Sequence, residues 1–214
     1  MISIETINIE QKDNLAIYNL NYPILKNLKC KDNIVDYINE VIYQDIICFK
    51  DVVKDDIDNF RINRNYLSYI NTEYRVDFNR NDIISITLEF SQLSGLYNIT
   101  YVNSYNYDIN LGRQIKLKDI FKNNVDYIEI LNKKLEAELK SRAKLYGEEF
   151  NKLEEYFNKI IILEDSNFYI EEDGIVISFS SYELDQNISE VLEFKILFEE
   201  CIDYLSYYIL ENIM

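Results

Sequence analysis

"SYNYDINLGRQIKLKDIF", residues 104–121, decides the fold. A tyrosine-rich stretch with period-two alternation runs into it, and an apolar helical turn runs out, so the pattern changes here from sheet to helix. Asn110-Leu111-Gly112-Arg113 reads as a tight turn, with Gly112 at a position that needs a positive φ. Leu117, Ile120 and Phe121 are spaced to pin one helical turn onto a core. The stretch offers no general base, no activated nucleophile and no glycine array to cradle a phosphate. It reads as a structural corner.

Upstream, the alternation is cleanest in 97–108. Tyr97, Ile99, Tyr101, Asn103, Tyr105 and Tyr107 share one face, as a strand under a helix would place them. A tyrosine stripe also suits a binding surface, so this face is either core or interface. Ile84, Ile86, Leu88 and Phe90 share a face in 82–90; Ile70, Tyr74, Val76 and Phe78 do so in 66–78. Residues 79–82 form a turn and 91–98 a looser one. "ISIETINIE" (2–10) reads as an edge or half-buried strand, and 15–25 as a further strand with Pro23 near its end. From Asp32, a plausible N-cap, helical spacing runs through Ile34, Ile38, Val41, Ile42, Asp45, Ile46, Phe49, Val52 and Val53 to about Asp58. These elements predict an α+β chain, with an antiparallel meander packed by one long helix over residues 1–110.

Downstream, residues 111–214 read as a second α+β lobe. Val125, Ile128, Leu131, Leu135 and Leu139 make one helical stripe. Phe150, Leu153, Phe157 and Ile160 make another, from about Gly147. "FYIEEDGIVISF" is a hairpin, with Asp173-Gly174 at a turn needing φ > 0. Leu192, Phe194 and Ile196 face inward on a last strand. Phe198, Ile202, Leu205 and Ile209 predict a helical tail.

Composition narrows the chemistry. The 214 residues carry 22 Lys+Arg against 38 Asp+Glu, a net charge of −16. A surface so negative repels phosphate backbones and anionic membranes and steers cationic partners toward it. There is no histidine, which excludes Ser-His-Asp and Cys-His catalysis and His-built zinc sites. Cys30, Cys48 and Cys201 are too dispersed for a zinc knuckle, and Cys48 and Cys201 are expected to be buried thiols. No run is long and apolar enough to span a bilayer, and no secretory signal opens the sequence. The compartment stays open: the cell envelope if a leader or anchor has been cut away, otherwise the cytoplasm.

Local motifs are weak. Ser141-Arg142-Ala143-Lys144 matches S-x-x-K, but its Ser-Asp-Asn and Lys-Thr-Gly companions are missing, so it reads as a solvated helix face. Asp51, Asp55, Asp56 and Asp58 lack the spacing of a calcium loop and read as a helix end. Glu171, Glu172 and Asp173 read as a charged hairpin tip. Tyr204, Tyr207 and Tyr208 form a second aromatic group near the C-terminus.

"YDINLGRQIKLKDIF" resembles the signature of a bacterial domain family: a strand, an x-G-[KR] turn, then L-x-D-[IL]-F. "NYPIL", "VDYINEVI", "NDIISITLEFS" and "FYIEEDGIVISFSSYEL" resemble further parts of it. The family includes the lysozyme-sensing extracellular domain of sigma-V anti-sigma factors and the non-catalytic N-terminal region of a peptidoglycan deacetylase. The resemblance implies two α+β lobes and a non-enzymatic binding or sensing module of the cell envelope, with no cofactor. The implied partner is a cationic protein such as lysozyme or a peptidoglycan fragment. Two loops depart from the family's pattern and are the candidate ligand contacts: Ser94, Gly95, Leu96 and Tyr97, and Asp185, Gln186 and Asn187. The other reading of the same acidity is a cytoplasmic interaction protein, such as an immunity-type inhibitor. The upstream sequence of the gene separates the two.

Overall fold

A computed structural model describes residues 1–26, 32–59, 67–94, 97–146, 160–181 and 191–214. The strands β1 (Ser3–Lys12) and β2 (Ala16–Lys26) form a hairpin. Asp13 shapes its turn, its carboxylate accepting the Leu15 and Ala16 amides at 2.7 and 2.8 Å, the local bonding that suits Asp to turns. Helix α1 (Asp32–Asn59) follows, then β3 (Ser68–Arg80), β4 (Ile83–Ser94) and β5 (Tyr97–Asp108). With the short β6 (Arg113–Gln114) they make one sheet in sequence order, β1 through β6. The strands β3, β4 and β5 are the expected antiparallel meander, whereas β2 runs parallel to β3. Parallel neighbours need a crossover connection, and α1 is that crossover.

The residues that bury α1 are Val35, Ile38, Ile42, Ile46, Phe49 and Val53, spaced three or four apart. They pack on Leu20, Ile70, Ile84, Ile86, Leu88 and Phe90 of the sheet. Each such burial contributes about 1.5–3 kcal/mol, so packing rather than propensity holds this helix. Cys48 and Val52 fall off the stripe and are exposed, which corrects the expectation that the Cys48 thiol is buried. Asn39 completes the end of β2, accepting the Leu25 amide at 2.8 Å and donating to its carbonyl at 3.0 Å.

From Tyr101 to Tyr107 the tyrosine face of β5 packs into the core. Tyr101 stacks on Phe90 with centroids 4.7 Å apart, and Phe49 meets it edge-on at 5.8 Å. The buried Tyr105 donates its hydroxyl to Asp45 of α1 at 2.6 Å. One strand departs from its expected faces. A bulge at Asp77 shifts the register between Val76 and Phe78, turning Phe78 into the hydrophobic cluster on the other side of the sheet from Ile70. The turn at 79–82 is real, and Asn81 and Asp82 both take positive φ, 55° and 57°, as tight hairpin turns require.

The second half supplies α2 (Leu117–Ile120), α3 (Tyr127–Tyr146), β7 (Phe168–Ile170), β8 (Gly174–Phe179) and β9 (Leu192–Leu197). The last three form an antiparallel sheet on the face of the large sheet opposite α1. Asn106 donates to the Phe168 carbonyl at 2.7 Å, and the Ile170 amide to the Ser85 hydroxyl at 2.9 Å. Gly174 is not at a left-handed position, contrary to the sequence expectation. A Cβ there would lie 2.3 Å from the Ile196 carbonyl oxygen, so glycine is needed for the close approach of β9. The tail is not one helix. A 3-10 helix (Phe198–Tyr204) buries Cys201 and leaves Ile202 exposed, then α4 (Tyr207–Asn212) begins afresh with Ser206 as its N-cap. The bridge between Phe121 and Leu205 separates the two. Of the helix expected from Gly147 to Ile160, only Ile160 lies within the described residues.

Beyond β6, the free edge of β5 is met by side chains instead of a strand. The amides of Thr100, Val102 and Ser104 donate to the Ser181 hydroxyl, the Ser180 hydroxyl and the Asn167 carbonyl at 3.2, 3.4 and 2.9 Å. Asn167 also donates to the Val102 carbonyl at 3.2 Å. These contacts satisfy backbone groups that would otherwise be buried unpaired.

Candidate functional site

The corner that follows β5 is tied by side chains crossing it. Gly112 has φ +64°, with open space where a Cβ would lie. Asp108 is buried, and its carboxylate accepts the Leu111 amide at 2.8 Å and the Tyr208 hydroxyl at 2.6 Å. Burial and that carboxylate push the Tyr208 hydroxyl well above its ordinary pKa. Arg113 donates to Asp119 at 2.8 Å, and the same carboxylate caps α2 through the Lys116 amide, also at 2.8 Å. Ser206 closes the assembly, donating its hydroxyl to the Asp119 carbonyl and its amide to the Ile120 carbonyl. The glycine, the arginine and the aspartate of the signature are therefore parts of one structural joint.

Beside this joint a cleft of about 360 Å³ opens between β5, α2, the start of α3 and residues 164–168. That volume lies in the range of small-molecule sites. Lys116 and Lys118 line it together with Glu164 and Asp165, and all four are exposed. None of them forms an ion pair among the described residues. Tyr127 also lines it, its ring stacked on Phe121 at 5.2 Å. The Tyr127 hydroxyl is buried without a hydrogen-bond partner. Burial first, and then the carboxylates of Glu164, Asp119 and Asp126, raise its pKa, so it is held as a proton donor. This arrangement can bind; no lining residue is placed as an activated nucleophile or tuned base.

A second, open groove lies over the seam of the two sheets. Arg75 reaches Asp77 at 2.7 Å and Glu193 of β9 at 2.6 Å, with its guanidinium 4.4 Å from the Tyr169 ring centroid. Lys195 pairs with Glu171 and Asp173. Burial outweighs the bonds from Thr87 and Arg75 and lifts the Asp77 carboxyl to about 6. The groove tethers β3 to β9 and presents carboxylates to solvent.

The residues expected from sequence are placed unevenly. The Ser94 hydroxyl bonds that of Ser68 at 2.7 Å. Gly95, Leu96, the Tyr97 side chain, Asp185, Gln186 and Asn187 lie outside the described residues. Ser181, the last described residue before the second loop, donates to the carbonyl of Thr100, three positions beyond the start of β5, at 2.7 Å. Ser141 is exposed and Arg142 pairs with Glu138, so the S-x-x-K stretch is a solvated face as far as it is described. Asp51 and Asp55 are exposed on α1, and the side chains of Asp56 and Asp58 lie outside the described residues. Tyr204 and Tyr207 are exposed, whereas Tyr208 is bound into the joint. Sequence reasoning missed the cleft, because charged residues in turns carry no periodicity and Tyr127 sits one position from the Ile128 stripe.

Comparisons with known proteins follow the same outline. Over 168 residues, 78% of this chain, the sequence is 26% identical to the peptidoglycan-N-acetylmuramic acid deacetylase PdaC of Bacillus subtilis, and it spans 34% of that protein's length. A crystal structure of a DUF3298 family member from Bacteroides fragilis superposes with a TM-score of 0.66 at 19% identity, covering 98% of this chain and 95% of that one. A DUF3298 family protein from Pseudomonas aeruginosa superposes with a TM-score of 0.61 at 14% identity, covering 97% and 95%. At these identities the structural likeness speaks for the fold. Residues 118–186 match the family described as "Protein of unknown function (DUF3298)", and the chain has the fold of that family's solved members.

Proposed function

We propose that the chain is a non-enzymatic binding or sensing module of the cell envelope, with a cationic protein such as a lysozyme, or a cell-wall glycan, as its partner. The observation that carries this reading is the match of 168 residues to part of a cell-wall deacetylase by a chain that contains no histidine. Such a chain lacks the commonest general base and the commonest metal ligand. The net charge of −16 supports a cationic partner, since complementary charge speeds encounter and fixes salt dependence. The resemblance to lysozyme-sensing anti-sigma domains makes a lysozyme the first partner to try, with residues 94–97 and 185–187 as the contact loops.

The test is calorimetric titration of the folded chain with a lysozyme at low and at moderate salt, beside co-sedimentation with purified peptidoglycan. Saturable heat that weakens as salt rises supports the cationic partner, and co-sedimentation supports the glycan. The absence of both overturns the reading.

A further inference from the structure

We propose that the cleft beside the joint is a binding site for a zwitterionic dipeptide or amino acid. Lys116 and Lys118 would receive the carboxylate, Glu164 and Asp165 the ammonium, and the Tyr127 hydroxyl would donate to the carboxylate. The inference does not rest on the envelope reading, because it concerns a small molecule in a cavity and not a protein on the acidic surface.

Three observations carry it. First, the cavity, at about 360 Å³, suits a ligand of a dozen or so non-hydrogen atoms. Second, two ammonium groups and two carboxylates border it, and none of the four is spent on an ion pair among the described residues. The two lysines sit together on one cleft of a chain whose net charge is −16. A simple anion meets Glu164 and Asp165 there, and a simple cation meets the lysines. A molecule carrying both charges satisfies both groups. Third, the Tyr127 hydroxyl is buried and unpartnered, a condition that native proteins rarely leave standing. Its ring is fixed against Phe121. Burial, and then the nearby carboxylates, keep the proton on it, so it is completed by an acceptor such as a carboxylate oxygen. The hydroxyl is closed to solvent in the unliganded chain, so binding as proposed requires the cleft wall over it to open.

Among the other polar lining groups, Asn106 and Asn167 hold the two sheets together and Ser166 accepts the Leu163 amide, which leaves recognition to the charged rim, the exposed Gln114 and Tyr127.

The experiment follows amide chemical shifts of the isotope-labelled chain during titration with alanyl-alanine. N-acetyl-alanyl-alanine, which lacks the ammonium, and alanyl-alaninamide, which lacks the carboxylate, are titrated in parallel. The expected result is saturable shifts centred on residues 114–118, 127 and 164–168. Each blocked dipeptide and Tyr127→Phe should weaken binding about tenfold, the effect of one charge-assisted hydrogen bond. Tyr127→Phe keeps the ring on Phe121, and an unchanged thermal midpoint would show that the fold is retained. Shifts elsewhere, no saturation, or equal binding of all three dipeptides overturns the proposal. A lysozyme titration that fails leaves these outcomes untouched, and the converse holds.

Discussion

Two glycines show how one residue type answers two different needs. Gly112 supplies a backbone angle and Gly174 supplies space. A side chain at 112 enters open solvent and suffers only the left-handed strain, about 1–2 kcal/mol. A side chain at 174 drives into the Ile196 carbonyl, a backbone group of the paired strand β9. Gly112→Ala should therefore lower the urea unfolding free energy by about 1 kcal/mol, and Gly174→Ala by about 3 kcal/mol or more. Equal losses would contradict the assignment. The turn at Gly112 was legible in sequence because glycine beside Asn and Leu ahead of a helical pattern is a local signal. The need at Gly174 was not, because it arises from a strand that follows twenty residues later.

Asp77 belongs to the same scale. Its side chain is buried and its pKa in the folded chain is raised from 3.8 to about 6. The folded state thus holds this proton more tightly than the unfolded state. The group's stabilising contribution is fully present below about pH 4 and is lost as the pH rises through about 6, by about 3 kcal/mol in total. Asp77→Asn should remove that part of the pH dependence. Urea midpoints of the two chains at pH 5 and pH 7.5 check it: the wild-type chain should gain more on acidification than the variant.

At the scale of elements, the sequence reported what is periodic. The stripe of α1, the alternation of β4 and β5, and the short helix after the turn are all local patterns, and the structure has them. The parallel pairing of β2 with β3 was not legible, since it depends on where a helix returns the chain. The face switch in β3 was hidden by a bulge that no residue spacing announces. The tail's break into a 3-10 helix and α4 comes from the bridge between Phe121 and Leu205, a partner 84 residues away by number. Asn167 is the side chain that most directly joins elements, bonding Ser104, Val102 and Ser178. Asn167→Ala leaves a backbone donor and a backbone acceptor of β5 unpaired and should cost about 2–4 kcal/mol, read as a lowered urea midpoint. An unchanged midpoint would mean that water replaces the amide without penalty.

At the scale of the whole molecule, two hydrophobic clusters lie on opposite faces of one large sheet. The cleft belongs to this scale, because its walls come from β5, α2, α3 and the stretch before β7. No single segment of sequence contains it, which is why neither composition nor motif points to this place.

The side-chain plugs on the free edge of β5 have a consequence for synthesis. The strand is complete at residue 108, but its plugs arrive 63 to 81 positions after the amides they satisfy. A ribosome adding about 5–20 residues per second leaves that edge open for on the order of 3–16 seconds. During that interval the nascent large sheet shows the unpaired row that a neighbouring chain can join. The emerging N-terminal half is therefore the sticky intermediate on a crowded polysome, and the arrival of Asn167, Ser180 and Ser181 is the moment at which each chain closes itself to its neighbours.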